Sequence, residues 1–193
     1  MNCLYCDKKI EKYSLSDILF DEDLLCHECR SSMPIRKRKT RIEDLEVEYF
    51  YDYNSLFKSL LIQYKECFDE ALSQVFLHKI KDYIKIRYFG YKILYVPSSK
   101  EKLESRGFDH LRLIFNTLGF KEVTGICQKQ EMSQRGKGKR ARSQMVNNYI
   151  YNGGPQNKVL IVDDVMTTGS SLLGVYLAIK PYCKKIKALV LSK

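Results

Sequence analysis

The stretch Lys158-Val159-Leu160-Ile161-Val162-Asp163-Asp164-Val165-Met166-Thr167-Thr168-Gly169-Ser170-Ser171 decides how this chain is read. Val159 to Val162 form a short, branched, apolar run, the pattern of a parallel strand buried on both faces. The run ends in two adjacent carboxylates. Thr167 to Ser171 then predict a tight turn, because Gly169 tolerates backbone angles that other residues avoid. Leu172, Leu173, Val175, Tyr176 and Ile179 follow at helical spacing. A strand, a glycine turn and a helix N-terminus together make an anion cradle, where free N–H groups and the helix dipole favour a phosphate. The carboxylates fall at the carboxyl end of the strand, where open α/β sheets place their ligands. Beside a phosphate they cannot bind it themselves. They suit a sugar's hydroxyls or a hydrated Mg²⁺, a cation that takes hard oxygen donors. A Walker A loop, the competing phosphate motif, needs Gly-Lys-Ser/Thr, and the chain has no such tripeptide.

At 193 residues the chain fits one domain with a small appendage. Its 45% hydrophobic and 29% charged content are those of a soluble globular protein, and no run is long enough to span a membrane. Cys3 and Asp7 stand where a signal peptide would place a basic start and an apolar core, so the expected location is the cytosol. A net charge of +10 favours anionic partners, phosphorylated metabolites and nucleic acid alike. Seven cysteines in a cytosolic chain argue against a disulfide framework. Three of them, Cys67, Cys127 and Cys183, sit in apolar contexts and read as small buried residues.

The other four form two CxxC pairs, Cys3-Leu4-Tyr5-Cys6 and Cys26-His27-Glu28-Cys29, separated by residues 7–25. That spacing matches a four-thiolate zinc ribbon. Each pair makes a knuckle that turns two thiolates toward one point, and two knuckles complete a tetrahedron. So short a segment buries little core, so the metal would supply its folding energy. A closed four-cysteine site has no open coordination position, which predicts a structural zinc with His27 as a bystander.

The basic run Pro34-Ile35-Arg36-Lys37-Arg38-Lys39-Thr40-Arg41 marks a boundary after the ribbon. Residues 42–53 read as strand material. Asn54 opens a helical pattern that continues to about residue 85, as two helices or one bent one. Tyr83, Lys85, Arg87, Tyr88, Tyr91 and Lys92 interleave aromatic and basic residues, an arrangement able to stack nucleotide bases. Ile93 to Val96 form a short strand. The Ser98-Ser99-Lys100 turn at its end is a second candidate anion site, adjacent to the first if the two strands are neighbours in a parallel sheet. Arg106 adds a cation at the end of the helical stretch that follows. Val123 to Ile126 and Tyr149 to Tyr151 are further short strands, and Ile186 to Leu191 is the last. Between them, residues 128–148 read as a mobile basic loop, in which Lys137, Lys139, Arg140 and Arg142 are the candidate contacts for single-stranded DNA.

The stretch 159–171 resembles the signature of type I phosphoribosyltransferases, which bind 5-phosphoribosyl-1-pyrophosphate (PRPP). The resemblance implies that Asp163 and Asp164, the catalytic carboxylates, face the ribose hydroxyls and Mg²⁺. Thr167, Thr168, Gly169, Ser170 and Ser171 would hold the 5′-phosphate. Ser98, Ser99, Lys100 and Arg106 would meet the pyrophosphate. Over nearly its whole length the chain is similar to the ComF family of competence-associated proteins. The matching blocks are Tyr51-Asp52-Tyr53, a helix with Leu61-Ile62 and Lys65, Val96-Pro97, Ser105-Arg106-Gly107-Phe108-Asp109-His110, Gln134 with Arg142, and 159–171. Asp109-His110 replaces the family's Asn-Gln, and Met145 stands where Asn is common.

The expected architecture is an α/β domain over 42–193, a type I phosphoribosyltransferase-like parallel sheet flanked by helices, with a small N-terminal zinc ribbon over 1–33. A β-hairpin–helix insertion is expected to cover the site. The implied role is PRPP binding in DNA uptake and natural transformation. The alternative is a catalytically inactive DNA-binding or scaffold module whose ribbon docks a competence helicase. Thr167 occupies the position where purine phosphoribosyltransferases commonly carry an Asp, so the loop favours binding over any particular transfer.

Overall fold

β6 (Gln156–Val165) is the central strand of the molecule, which is described here from a computed structural model covering residues 1–10, 23–128 and 148–193. Val159 to Val162 are fully buried, as a strand covered on both faces requires. On one side β6 pairs in parallel with β7 (Cys183–Ser192), with Asp163 opposite Val190. On the other it pairs in parallel with β3 (Lys92–Tyr95), with Tyr95 opposite Val162. β2 (Leu45–Tyr49) pairs in parallel with β7, and β1 (Arg38–Ile42) adds an antiparallel edge, giving the order β1-β2-β7-β6-β3. The result is an α/β protein with a mostly parallel central sheet flanked by helices and an N-terminal cysteine cluster. This is consistent with a type I phosphoribosyltransferase-like fold.

β1 takes up the second half of the basic run 34–41, which carried no strand expectation. Lys39 pairs with Glu46 at 3.3 Å and Arg38 with Asp52 at 2.6 Å, so acids on and after β2 turn a basic run into an edge strand. A charged edge also discourages further strands from adding to the sheet.

The helices are α1 (His27–Ser32), α2 (Ser55–Glu66), α3 (Ser73–Leu77), α4 (Lys81–Arg87), α5 (Lys100–Arg106), α6 (His110–Phe115) and α7 (Ser170–Ile179). The pattern from 54 to 87 thus breaks into three helices. α2 starts where Asn54 Oδ1 accepts the Phe57 N–H at 2.9 Å, and it stops before Phe68, whose φ of 58° is incompatible with a helix. Phe57, Leu60, Leu61 and Tyr64 form its buried face. Phe57 lies 5.5 Å from the Tyr51 ring and 5.7 Å from that of Phe76, joining the helix to the sheet through aromatic contacts.

Cys3, Leu25, Cys26, Cys29 and Met33 belong to the same buried cluster as the sheet residues. Arg30 pairs with Asp23 at 2.7 Å, and Asn54 Nδ2 donates to the Ser32 carbonyl at 2.7 Å. The cysteine element is therefore packed onto α2 rather than tethered beside it.

β4 (Ile126–Gln128) and β5 (Tyr149–Tyr151) pair antiparallel as a hairpin. β4 lies later than the expected 123–126 strand, because Val123 instead donates its N–H to Ile93 along the outer edge of β3, at 2.8 Å. Lys137, Lys139, Arg140 and Arg142, with Gln134 and Met145, lie outside the described residues.

Cys67 and Cys127 are exposed and Cys183 is partly exposed, against the expectation of buried thiols. Cys67 caps the C-terminus of α2, Cys127 sits on a two-stranded hairpin, and Cys183 begins β7, all places where little packs over the chain. The tyrosines expected to stack bases also face inward. Tyr88 and Tyr83 donate to the buried carboxylate of Glu48 at 2.6 and 2.8 Å, which leaves no free ring face at Tyr88. Among the described residues no helix is long and apolar enough to cross a membrane.

Candidate functional site

Two features converge at the carboxyl ends of β6 and β3. The turn after β6 brings Gly169 to a φ of 75°, the left-handed region that glycine enters freely, and α7 begins at the next residue. A side chain here would also press on Ile42, so the position is closed to a Cβ by backbone and by packing together. The first N–H groups of α7 have no carbonyl of the helix's own to bind, and they open onto this turn. Thr168 Oγ1 and Ser170 Oγ stand 2.9 Å apart beside them. Asp163, Val165, Met166 and residues 167–172 line a small polar cavity of about 40 Å³. A larger groove of about 420 Å³, between Tyr5, Glu28 and Ser32 and the start of α2, contains no part of this site.

The pairing of β3 with β6 carries the second anion candidate alongside. Val96 N donates to the Val162 carbonyl at 3.1 Å, so the Ser98–Ser99 turn follows directly beside the acid pair. Ser98 and Ser99 are partly exposed, and Ser99 immediately precedes α5, which begins at Lys100. Arg106, at the far end of α5, is largely buried and donates to Glu66 at 3.2 Å. The neighbourhood that the sequence left conditional is therefore present for the serines, while Arg106 already holds a carboxylate partner.

The two carboxylates have different surroundings, because successive strand residues point to opposite faces. Asp164 turns toward α2 and α6 and is 6% exposed. Lys65 Nζ touches its Oδ2, and His110 Nε2 lies 3.0 Å from the same oxygen, close contacts that are off the line of an ideal hydrogen bond. Burial alone would raise the Asp164 carboxyl, but contact with His110 and the Lys65 ammonium outweigh it and hold the group well below the usual carboxylate range. Asp163 turns toward the glycine turn over 167–171. Burial, then the charge of Asp164, push its carboxyl up to about 8. Tyr149 of β5 interacts with both Asp163 and Ser171, so the hairpin reaches the rim of the loop.

Lys65 and His110 were visible in the sequence only as members of matching blocks, with no chemical role. Their spacing along α2 and α6 points to helix faces and says nothing of a shared partner on β6. A lysine at the end of an otherwise apolar helical stripe was the available signal.

In the N-terminal element, the Sγ atoms of Cys3, Cys6, Cys26 and Cys29 all lie within 4.8 Å of one another. Cys6 and Cys26 Sγ are 3.6 Å apart, close to the roughly 3.8 Å expected between thiolates around a tetrahedral zinc with bonds of about 2.3 Å. The first knuckle is set by the Cys3 N–H to Lys8 carbonyl and Asp7 N–H to Cys3 carbonyl bonds, and the second by the start of α1. The four cysteines could bind a metal such as zinc. His27 is exposed on α1 and stands outside the cluster.

No family model matches the chain. Among curated proteins it is similar to the competence protein ComFC of Streptococcus pneumoniae (strain ATCC BAA-255 / R6). The two are 22% identical over 199 residues, spanning 89% of this chain and 90% of that protein. It is also similar to the competence protein ComFC of Bacillus subtilis (strain 168), 23% identical over 203 residues, spanning 88% of this chain and 85% of that one.

Proposed function

We propose a PRPP-binding role for this chain, whose two relatives support its assignment to the ComF/ComFC family. The observation that carries the proposal is the juxtaposition at the end of β6: an acid pair, then a glycine turn at the N-terminus of α7, with the Ser98–Ser99 turn brought alongside by β3. In this reading the loop from Thr167 to Ser171 takes the 5′-phosphate through N–H groups and hydroxyls. The acid pair borders the ribose hydroxyls, and Ser98, Ser99, Lys100 and Arg106 receive the pyrophosphate, Arg106 by exchanging its Glu66 partner. Asp163 faces the phosphate cavity, where a hydrated Mg²⁺ would displace the carboxyl's proton and neutralise charge on the pyrophosphate. Thr167 is a poor general base, so the proposal is binding, with transfer to an acceptor left outside it.

Both relatives are competence proteins, which supports a competence-related role. Within that role we assign residues 1–33 to a structural zinc element, residues 42–193 together with the edge strand β1 to the transferase-like domain, and the protein to the cytoplasm, acting in DNA uptake. Single-stranded DNA contact through Lys137, Lys139, Arg140 and Arg142 predicts binding that weakens with salt and with removal of those charges.

The test is thermal unfolding with and without Mg²⁺ and PRPP. Saturation at about a hundred times the dissociation constant stabilises a protein by about 2.7 kcal/mol, a rise of roughly 5–10 °C for a chain of this size. Asp163→Ala/Asp164→Ala should abolish it. An equal rise in that variant, or none in either protein, removes the basis of the proposal.

A further inference from the structure

Both Asp164 oxygens face groups of the protein's own. Its Oδ1 accepts the Val165 N–H at 2.6 Å, and its Oδ2 is contacted by both Lys65 Nζ and His110 Nε2. The three side chains are largely removed from water, at 9% exposure for Asp164, 7% for His110 and 16% for Lys65. Asp163 differs. Its Oδ1 accepts the Asp164 N–H at 2.9 Å, while its Oδ2 meets no hydrogen-bond donor among the described residues. Asp163 and not Asp164 lines the cavity of the phosphate loop.

Stability is a weak explanation for this arrangement, because taking a lysine and an aspartate out of water costs several kcal/mol per ion, and apolar residues of similar volume often serve as well. Fixing a geometry is the stronger one. The elements that present these two side chains are themselves locked. Asp109 Oδ1 caps α6 by accepting the Leu111 and Arg112 N–H groups at 3.1 and 3.2 Å. Tyr64, next to Lys65 on α2, donates its hydroxyl to the His110 carbonyl at 2.7 Å, tying the two helices together at the contact. His110 Nδ1, equally buried, has no partner among the described residues, so the imidazole's one polar contact is with Asp164.

We infer that Lys65 and His110 are positioning residues that hold Asp164 inside the fold and leave Asp163 as the one carboxylate that meets the sugar or its cation. The inference rests on the PRPP reading and refines it: the adjacent acids divide their work, one as a post and one as a contact. His110 acts by donating from Nε2, a role that a glutamine amide can fill and a leucine cannot.

Crystals of the full chain soaked with MgCl₂ and PRPP test it directly. The expected result is Asp163 Oδ2 against the ribose or the cation, with Asp164 still on Lys65 and His110. Asp164 turned off Lys65 and onto the ribose overturns the inference. Calorimetric titration of PRPP supplies a second readout. His110→Leu should weaken binding by about tenfold, the lower end of the loss seen when outer partners that brace a binding site are removed. His110→Gln should return it to within a factor of about three. Equal weakening in both variants at unchanged melting temperature refutes the donor role. A wild-type chain that takes up no PRPP in crystal or solution strikes the PRPP reading itself, and the inference falls with it.

Discussion

Replacing Gly169 by alanine tests whether the turn between β6 and α7 is held by its backbone conformation and by its packing on β1 at once. At a φ of 75° an L-residue costs about 1–2 kcal/mol relative to glycine. The new Cβ would fall inside van der Waals contact with Ile42 Cδ1, 3.2 Å from its Cγ1 and 3.6 Å from Met166 Sδ. Overpacking of this kind costs about 1–3 kcal/mol, and because Cδ1 is the free end of a side chain the lower figure applies. The sum is about 2–3 kcal/mol, a fall of roughly 4–12 °C in melting temperature for a chain of this length. Urea unfolding followed by circular dichroism measures it. Ile42→Val removes the clashing methyl and separates the two contributions: in that background Gly169→Ala should cost only the conformational part, with a coupling of about 1 kcal/mol between the sites. A Gly169→Ala cost below about 0.5 kcal/mol, well under the conformational penalty alone, would refute the reasoning. A full cost without coupling would show that Ile42 has no part in it.

The purified chain should carry about one zinc by plasma emission; Cys26→Ser should lose both metal and melting temperature, whereas His27→Ala should keep the wild-type zinc content. Asp163 supplies a pH test. Its carboxyl is raised from 3.8 to about 8, so the folded chain holds that proton more tightly than the unfolded one. The resulting stabilisation is complete below about pH 4 and is lost as pH climbs toward 8, so in Mg²⁺-free buffer Asp163→Asn should lose less stability than wild type between pH 5 and 8; parallel curves would contradict the raised carboxyl. Tyr88→Phe removes the 2.6 Å donor to Glu48, which is 1% exposed, and should cost about 1–3 kcal/mol in urea titrations. A variant as stable as wild type would mean that Tyr83 and Lys37, the latter 3.9 Å away, satisfy that carboxylate without Tyr88.

The parts of this fold that were legible in the sequence are those set by local pattern. Val159 to Val162 could be little but a buried strand, and Gly169 marked the turn that follows. Two CxxC pairs announced four sulfurs brought to one point. What escaped was decided by partners distant in the chain. The run from Arg38 to Arg41 lacks the apolar alternation of a strand, and only Glu46 and Asp52 across from it make it one. Tyr83 and Tyr88 alternate with cations just as surface stacking residues would, and the buried Glu48 on β2 turned them inward. The difference between Asp163 and Asp164 was equally hidden, since identical side chains in adjacent positions acquire opposite character only when Lys65 and His110 arrive on one face of the sheet.

The strand order carries a consequence for how the protein is made. β2 lies near the N-terminus, yet its parallel neighbour is β7, and the residues just beyond β2 are anchored there too, with Phe50 and Tyr51 N–H groups on the Leu191 carbonyl at 3.1 and 2.9 Å. At about 5–20 residues per second on the ribosome, several seconds to tens of seconds separate the emergence of β2 from that of its partner. Through that interval the charged hairpin strand β1 is the one neighbour β2 has in the sheet. The four cysteines, complete by Cys29, could bind a metal long before the sheet closes. Nascent-chain truncations that end before residue 183 should therefore be metal-replete at the N-terminus and chaperone-bound elsewhere, a division of labour between the ion and the cell's folding machinery that the finished structure no longer displays.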